Sequence, residues 1–281
     1  MNLFGELSLA AIPLDQPVIM IVLGVLGTAL LGLLAYIAHN KLWGYLWREW
    51  ITSTDHKRIG IMSILLALVM FVLGFSDAIM MRSQQTVAGP GHAGFLPPEY
   101  SDQVFTAYGT IMIFFMTMPF VTGLMNHIVS LQLGARDVAF PVLNSISFRL
   151  TAAGALLPNI ALVLGQFARA GCLDYPPLSE LATSPGVGVD YYLWALEIVG
   201  VGLLLSGISL VATIPKKRAP IFCWTSLASN MPIFSAFPIL TATFGMLLCD
   251  RYLGFQFFTN ESGDNATMYM NLIWAWGHSK V

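Results

Sequence analysis

The sequence predicts an all-α integral membrane protein with six transmembrane helices and an incomplete seventh. Of its 281 residues, 56 % are hydrophobic and only 10 % are charged. The apolar residues are gathered in long separate runs, and the loops between those runs alternate in charge. One soluble core does not bury this much apolar surface, so a helical bundle embedded in lipid is favoured.

Each apolar run is judged by its length, because a helix needs about 20 residues to cross roughly 30 Å of hydrocarbon. A seventh run, 267–281, is too short to cross alone at about 1.5 Å per residue. We find no repeat, low-complexity stretch or soluble domain, and we predict one membrane domain over 1–281. The predicted spans are 17–38, 59–81, 104–133, 140–167, 191–214 and 221–248.

The charges of the loops predict the orientation. Basic residues gather in every second loop, and acidic residues gather in the loops between, so the positive-inside rule puts the N-terminus on the non-cytoplasmic side of a bacterial-type inner membrane. The leader 1–16 has no Lys or Arg, unlike a cleaved signal peptide, so the first run is expected to remain as an anchor. The basic loops hold Lys41, Arg48, Lys57 and Arg58, then Arg136 and Arg149, then Lys216, Lys217 and Arg218.

Two function classes are disfavoured by composition. The net charge of −2 argues against nucleic acid as a partner, because such proteins carry clustered basic surfaces. The three cysteines, Cys172, Cys223 and Cys249, have no metal-ligand spacing, and we interpret them as small apolar residues.

Five strings are more specific than composition. They are 53–60 (STDHKRIG), 77–85 (DAIMMRSQQ), 134–141 (GARDVAFP), 250–254 (DRYLG) and 274–278 (WAWGH). Together they resemble the N-terminal half of subunit I of the haem-copper oxidases, and the extra first span with MMRSQQ points to the bo-type ubiquinol oxidase branch. The resemblance implies an enzyme that oxidises ubiquinol, passes electrons through haem to a haem-copper centre, reduces oxygen to water and pumps protons. It also implies other oxidase subunits as partners.

The resemblance places Asp77 and Gln103 at positions that contact the quinol head group. Both side chains can hydrogen-bond a quinol hydroxyl or a quinone carbonyl, and an ionisable group at membrane depth is a functional candidate. The family's Arg and His partners are replaced here by Leu73 and Tyr100. The alternative interpretation of Asp77 is an interfacial acid at a helix end near Arg82.

Two residues match positions beside the low-spin haem. Arg82 corresponds to an arginine that can hydrogen-bond the porphyrin edge, although an ordinary interfacial arginine explains it almost as well. Tyr108 stands where the family has a haem-ligating His, since the chain reads FTAYG in place of FTAHG. A tyrosinate oxygen can bind haem iron, as in catalase, but it favours ferric iron.

Asn126, Asp137 and Asn144 match the entrance of the family's proton-uptake path. The loop charges independently put these residues on the cytoplasmic side, where protons are taken up. A carboxylate with two amides can order a chain of water molecules. The alternative is a polar loop with a capped helix start, which these residue types also favour.

His278 matches the first copper ligand of the family, and imidazole suits copper well. The family motif continues with Pro, Glu, Val and Tyr, whereas this chain reads Ser279, Lys280 and Val281. The substitution removes a proton-relaying Glu, and one His does not make a copper site.

These observations lead us to expect a truncated or diverged quinol oxidase subunit I that does not reduce oxygen alone. A second polypeptide that supplies the missing ligands is one alternative. Another is a noncatalytic membrane scaffold or assembly partner that uses contacts between small residues of its helices. A proton leak through Asp77 and Asp137 is weaker, because only Glu197 offers an ionisable group between them.

Overall fold

The computed structural model describes residues 17–89, 94–214, 219–259 and 266–280. The leader 1–16, the basic cluster 216–218 and the acidic pair Glu261 and Asp264 lie outside the described residues. The regular elements of the described ranges are helical: α1 (Pro17–His39), α2 (Trp43–Tyr45) with a π-helical segment (Leu46–Ile51), α3 (His56–Val87), α4 (Pro98–Thr110) with a π-helical segment (Ile111–Thr117), α5 (Met118–Gln132), α6 (Pro141–Val163), α7 (Gly188–Thr213), α8 (Ile221–Leu253) and α9 (Ala266–Lys280).

Five helical segments of the described chain are long and apolar enough to cross a membrane. They are His56–Val87, Pro98–Gln132, Pro141–Val163, Gly188–Thr213 and Ile221–Leu253. They coincide with the second to sixth predicted spans, so the all-helical membrane class is confirmed. Helix α1 coincides with the first predicted span and α9 with the seventh apolar run. That α1 crosses the membrane and that α9 is an incomplete span both stay predictions.

The ends of the spans differ from the predicted ends for local reasons. Helix α3 begins at His56 because the Asp55 carboxylate caps it, accepting a hydrogen bond from the Lys57 N–H at 2.9 Å. Helix α4 begins at Pro98, not at residue 104, and proline is well suited to a first helical turn. Helix α6 ends at Val163, not at residue 167, and Gly165 follows with a φ of 66°, which glycine adopts readily.

Small residues bring the helices together. A Cβ atom on Gly60 of α3 would lie 2.8 Å from the Gly123 carbonyl oxygen of α5, so only glycine fits there. Helices α6 and α7 meet in the same way, because a Cβ atom on Gly154 would lie 2.9 Å from the Ala195 carbonyl oxygen. Close approach through small residues is the usual way in which helices associate in lipid.

The segment 164–187, which joins α6 to α7, is held by a buried arginine of α8. Arg251 is only 2 % exposed, and its Nε donates to Asp190 Oδ1 at 2.7 Å. Its Nη atoms donate to the carbonyl oxygens of Ser179, Ser184 and Gly186 at 2.7–3.2 Å. We call 164–187 the α6–α7 segment; it forms one end of the bundle, where α4 and α7 begin and α8 ends.

Candidate functional site

A buried polar row lies between α5, α7 and α6. The Nδ2 of Asn126 donates to the Ser206 hydroxyl at 3.2 Å, and that hydroxyl donates to Asn144 Oδ1 at 3.4 Å. Each of the three residues is at most 1 % exposed. The structure therefore joins two of the three residues predicted for the proton path, through a serine that sequence reasoning missed. A serine within an apolar helix was the signal available for it.

The row has further hydrogen-bonding capacity. Within the described ranges, Asn126 Oδ1, Asn144 Nδ2 and the Ser130 hydroxyl are buried and have no protein partner. Buried polar groups are costly unless they are hydrogen-bonded, and ordered water commonly meets that need. The row is thus chemically able to hold water molecules between three helices.

Asp137, the third predicted residue, lies in the loop between α5 and α6. Its Oδ1 accepts hydrogen bonds from the Val138 N–H at 2.8 Å and from His56 Nδ1 at 3.1 Å. The second bond requires that the His56 ring carries a proton on Nδ1. His56 is buried and Asp137 is 32 % exposed, so the carboxylate is reachable from solution. The Thr213 hydroxyl accepts from the Ala139 N–H at 2.8 Å and fixes this loop to α7. Sequence reasoning had not singled out His56 as a partner of Asp137.

The two predicted quinol-binding residues have different environments. Asp77 is 6 % exposed, and its Oδ2 has no hydrogen-bond partner in the described part of the chain. Gln103 is 1 % exposed, and its Oε1 already accepts from the Phe167 N–H at 3.0 Å. Helix α3 continues from Asp77 to Val87, roughly 15 Å at helical rise, so Asp77 lies well inside the helix and not at its last turn.

The residues predicted to contact haem or copper do not form a ligand cluster. Arg82 is exposed and donates to Gln85 Oε1 at 3.1 Å, Tyr108 is partly buried on α4, and His278 is exposed on α9. In the described residues, no group of three or more His, Cys, Asp or Glu side chains is placed to hold a metal ion. One phenol and one imidazole are single donors, so these residues alone do not fit a haem-copper centre.

A bundle of membrane-length helices that encloses a row of amides and hydroxyls, with a carboxylate at a helix-joining loop, defines a polytopic membrane protein with a polar interior. Residues 58–281 match the family model of Cytochrome C and Quinol oxidase polypeptide I. The chain belongs to this family.

Three curated relatives illustrate the similarity. The chain is 60 % identical to a probable cytochrome c oxidase subunit 1 of Bradyrhizobium diazoefficiens, 54 % to a ubiquinol oxidase subunit 1 of Acetobacter aceti, and 52 % to a cytochrome bo(3) ubiquinol oxidase subunit 1 of Buchnera aphidicola. Each match covers 99 % of this chain but only 43–44 % of the relative. The chain thus spans less than half the length of these relatives.

Proposed function

We propose that this chain provides the proton-uptake and quinol-facing part of a terminal quinol oxidase subunit 1. Such an oxidase couples ubiquinol oxidation and oxygen reduction to proton pumping in aerobic respiration. Family membership and the names of the Acetobacter and Buchnera relatives support this assignment. The single observation that carries it is the buried row of Asn126, Ser206 and Asn144.

In this proposal protons enter at Asp137 from the cytoplasm, with the N-terminus on the opposite side of the membrane. Asp137 is partly exposed and can exchange protons with solution, while His56 and the Val138 N–H hold its carboxylate in one place. Water bound to the free oxygen of Asn126 and the free nitrogen of Asn144 extends the path into the bundle.

Quinol binds near Asp77 in the same proposal. The free Oδ2 of Asp77 accepts a hydrogen bond from a quinol hydroxyl, and this carboxylate can take the proton that quinol releases on oxidation. Gln103 uses its oxygen on the Phe167 N–H, so its amide nitrogen is the group that donates to a quinone carbonyl. Arg82, which is exposed, would hydrogen-bond the porphyrin edge.

Haem and copper supply the electron transfer and oxygen chemistry in an assembled oxidase. Tyr108 and His278 are the residues that would face these groups, and further donors have to come from outside the described residues. We therefore propose that 1–281 alone does not reduce oxygen, and that other oxidase subunits or polypeptides complete it. A noncatalytic scaffold or assembly partner is the second candidate, favoured by the lack of a metal-ligand cluster among the described residues.

The two candidates are separated by a reduced-minus-oxidised optical spectrum of the chain purified in complex with the oxidase subunits or polypeptides that complete it, with haem and copper measured per chain. Tyr108→His restores an imidazole donor, and Tyr108→Phe is the matched control that keeps the ring but has no donor. If the chain is part of an oxidase, we expect the Tyr108→His protein to contain haem. The Tyr108→Phe protein should then show a different haem spectrum or no haem spectrum. Absence of haem from the original and from both variants would reject the oxidase assignment and support the scaffold.

A further inference from the structure

Asp174 is a fully buried acid in the α6–α7 segment. It is 0 % exposed, and its φ of 50° holds the backbone in the left-handed region, which Asp adopts more readily than most residues. Across the described chain, neither oxygen of its carboxyl group has a hydrogen-bond partner. A buried ionised carboxylate without a partner is strongly unfavourable.

The nearby arginine does not remove this cost. Arg251 already donates to Asp190 and to three backbone carbonyl oxygens, and its charge is balanced by the Asp190 carboxylate. Asp174 is therefore a second acid beside an ion pair that is already neutral. An ionised Asp174 would leave the cluster with an excess negative charge.

Two tyrosine hydroxyls are close to Asp174 but are bonded elsewhere. Tyr192 of α7 donates to the Cys172 carbonyl oxygen at 2.7 Å, and Tyr269 of α9 donates to the Leu173 carbonyl oxygen at 2.8 Å. Both tyrosines are fully buried. Their hydroxyls hold the backbone just before Asp174 and do not donate to its carboxyl group.

Burial raises the pKa of Asp174 to about 8; the positive charge of Arg251 opposes this rise and the negative charge of Asp190 adds to it. Tyr192 and Tyr269 are the other titratable groups that face this carboxyl group; Cys172 lies near Tyr192, and Tyr175 lies near Tyr269. At neutral pH Asp174 thus holds a proton while the segment is packed. If the segment opens, the carboxyl group enters water and ionises with an ordinary pKa of about 4.

We propose that Asp174 is a proton-binding site that keeps the α6–α7 segment packed on α4 when protonated and releases the segment when ionised. The contact with α4 is specific: Gln103 Oε1 accepts from the Phe167 N–H at 3.0 Å, and the Thr106 hydroxyl accepts from the Gly171 N–H at 3.1 Å. A Cβ atom on Gly109 would lie only 2.6 Å from the Cys172 Cβ. Release therefore uncovers the face of α4 next to Tyr108.

The direction of the pH dependence follows from the two pKa values. The packed segment binds the proton more tightly than the open segment does, so packing is strongest below about pH 4 and weakens as the pH rises. The loss continues up to about pH 8, where the packed form also ionises, and then levels off. Between these limits the ratio of open to packed segment rises about tenfold for each pH unit.

The test uses the thiol of Cys172 in the full chain in lipid nanodiscs. Burial raises the pKa of this thiol, so a membrane-impermeant maleimide reacts faster when the segment opens. The rate is measured from pH 6 to pH 8, and peptide mass spectrometry separates Cys172 from Cys223 and Cys249. Asp174→Asn mimics the protonated acid, and Asp102→Asn alters an exposed acid on α4 as the control.

Dividing the rate of the original chain by that of Asp174→Asn cancels the change in thiolate fraction with pH. We expect this ratio to rise about tenfold per pH unit. The rate of the original chain divided by that of Asp102→Asn should stay near one. A ratio to Asp174→Asn that is independent of pH would overturn the proposal. If Asp174→Asn does not fold, hydrogen exchange of the backbone amides 166–172 in the original chain is measured instead. The exchange rates are corrected for the intrinsic dependence on pH. Protection that is then constant from pH 6 to pH 8 also overturns the proposal.

Discussion

Replacing Arg251 by Met should open the α6–α7 segment while leaving the membrane helices folded. The substitution keeps an unbranched apolar stem but removes every donor to Asp190, Ser179, Ser184 and Gly186. It also leaves the Asp190 carboxylate, which is 15 % exposed, without its counter-charge.

The expected magnitude follows from burial. Removing one partner of a buried ion pair typically costs about 3–5 kcal/mol, because the remaining charge is left uncompensated. The three backbone carbonyl oxygens also lose their hydrogen-bond donor, which costs further free energy. This cost does not simply add to that of the broken ion pair. We therefore expect the free energy that holds the segment closed to fall by about 3–5 kcal/mol, which raises local opening by at least roughly 100-fold.

Hydrogen exchange of backbone amides in 174–190, measured in nanodiscs, reports this opening directly. Arg169→Met is the matched control, because the Arg169–Glu99 pair is 46 % and 69 % exposed and such pairs contribute at most about 1 kcal/mol. Exchange in the α3–α5 contact should be unchanged in both variants. If Arg251→Met accelerates exchange less than tenfold, or no more than Arg169→Met does, Arg251 does not hold the segment closed.

Three further predictions concern the bundle and its loops. Gly60→Leu should separate α3 from α5, since a Cβ atom would already lie 2.8 Å from a facing backbone oxygen; size-exclusion chromatography should show loss of monodisperse protein. Gln84→Leu should release segment 94–96, since its side-chain oxygen accepts from two backbone N–H groups there at 2.9 Å; proteolysis in that segment should accelerate. Asp55→Ala removes the cap of α3, worth about 1 kcal/mol, so exchange in its first turn should rise about fivefold.

Matched controls are present in the same chain. Gly245→Leu places its side chain where nothing lies within 4 Å, so it should leave the elution profile unchanged. Gln85→Leu removes only an exposed hydrogen bond with Arg82 and should not alter proteolysis. Equal effects of Gly60→Leu and Gly245→Leu, or of Gln84→Leu and Gln85→Leu, would contradict the packing argument.

The membrane helices could be predicted because the thickness of the bilayer fixes the length of an apolar run. The ends were less accurate, since they depend on capping and on backbone conformation. Asp55, Pro98 and Gly165 determine where α3 and α4 begin and where α6 ends. These signals are visible in the sequence, but a hydropathy pattern alone does not weigh them.

The contacts of the candidate site were harder to predict, because they join residues that are far apart in sequence. Asn126 meets Ser206, and His56 meets Asp137, only once the helices have packed. Asp174 is the sharpest example: the charge pattern only counts it among the acids of an outer loop, whereas the structure buries it completely. The hydrogen bonds of Arg251 fold the loop inward, and no local pattern shows this.

The groups that hold the bundle together are distinct from the groups predicted to meet haem and copper. Glycine contacts join α3 to α5, Arg251 closes one end of the bundle, and Gln84 fixes a second loop. Tyr108 makes no contact of this kind and lies partly buried on α4. The contacts that hold the bundle therefore do not use the side chain at position 108, so a preserved fold is not evidence for preserved chemistry. Since Tyr108→His changes the donor and not the scaffold, haem content in that variant separates the two properties.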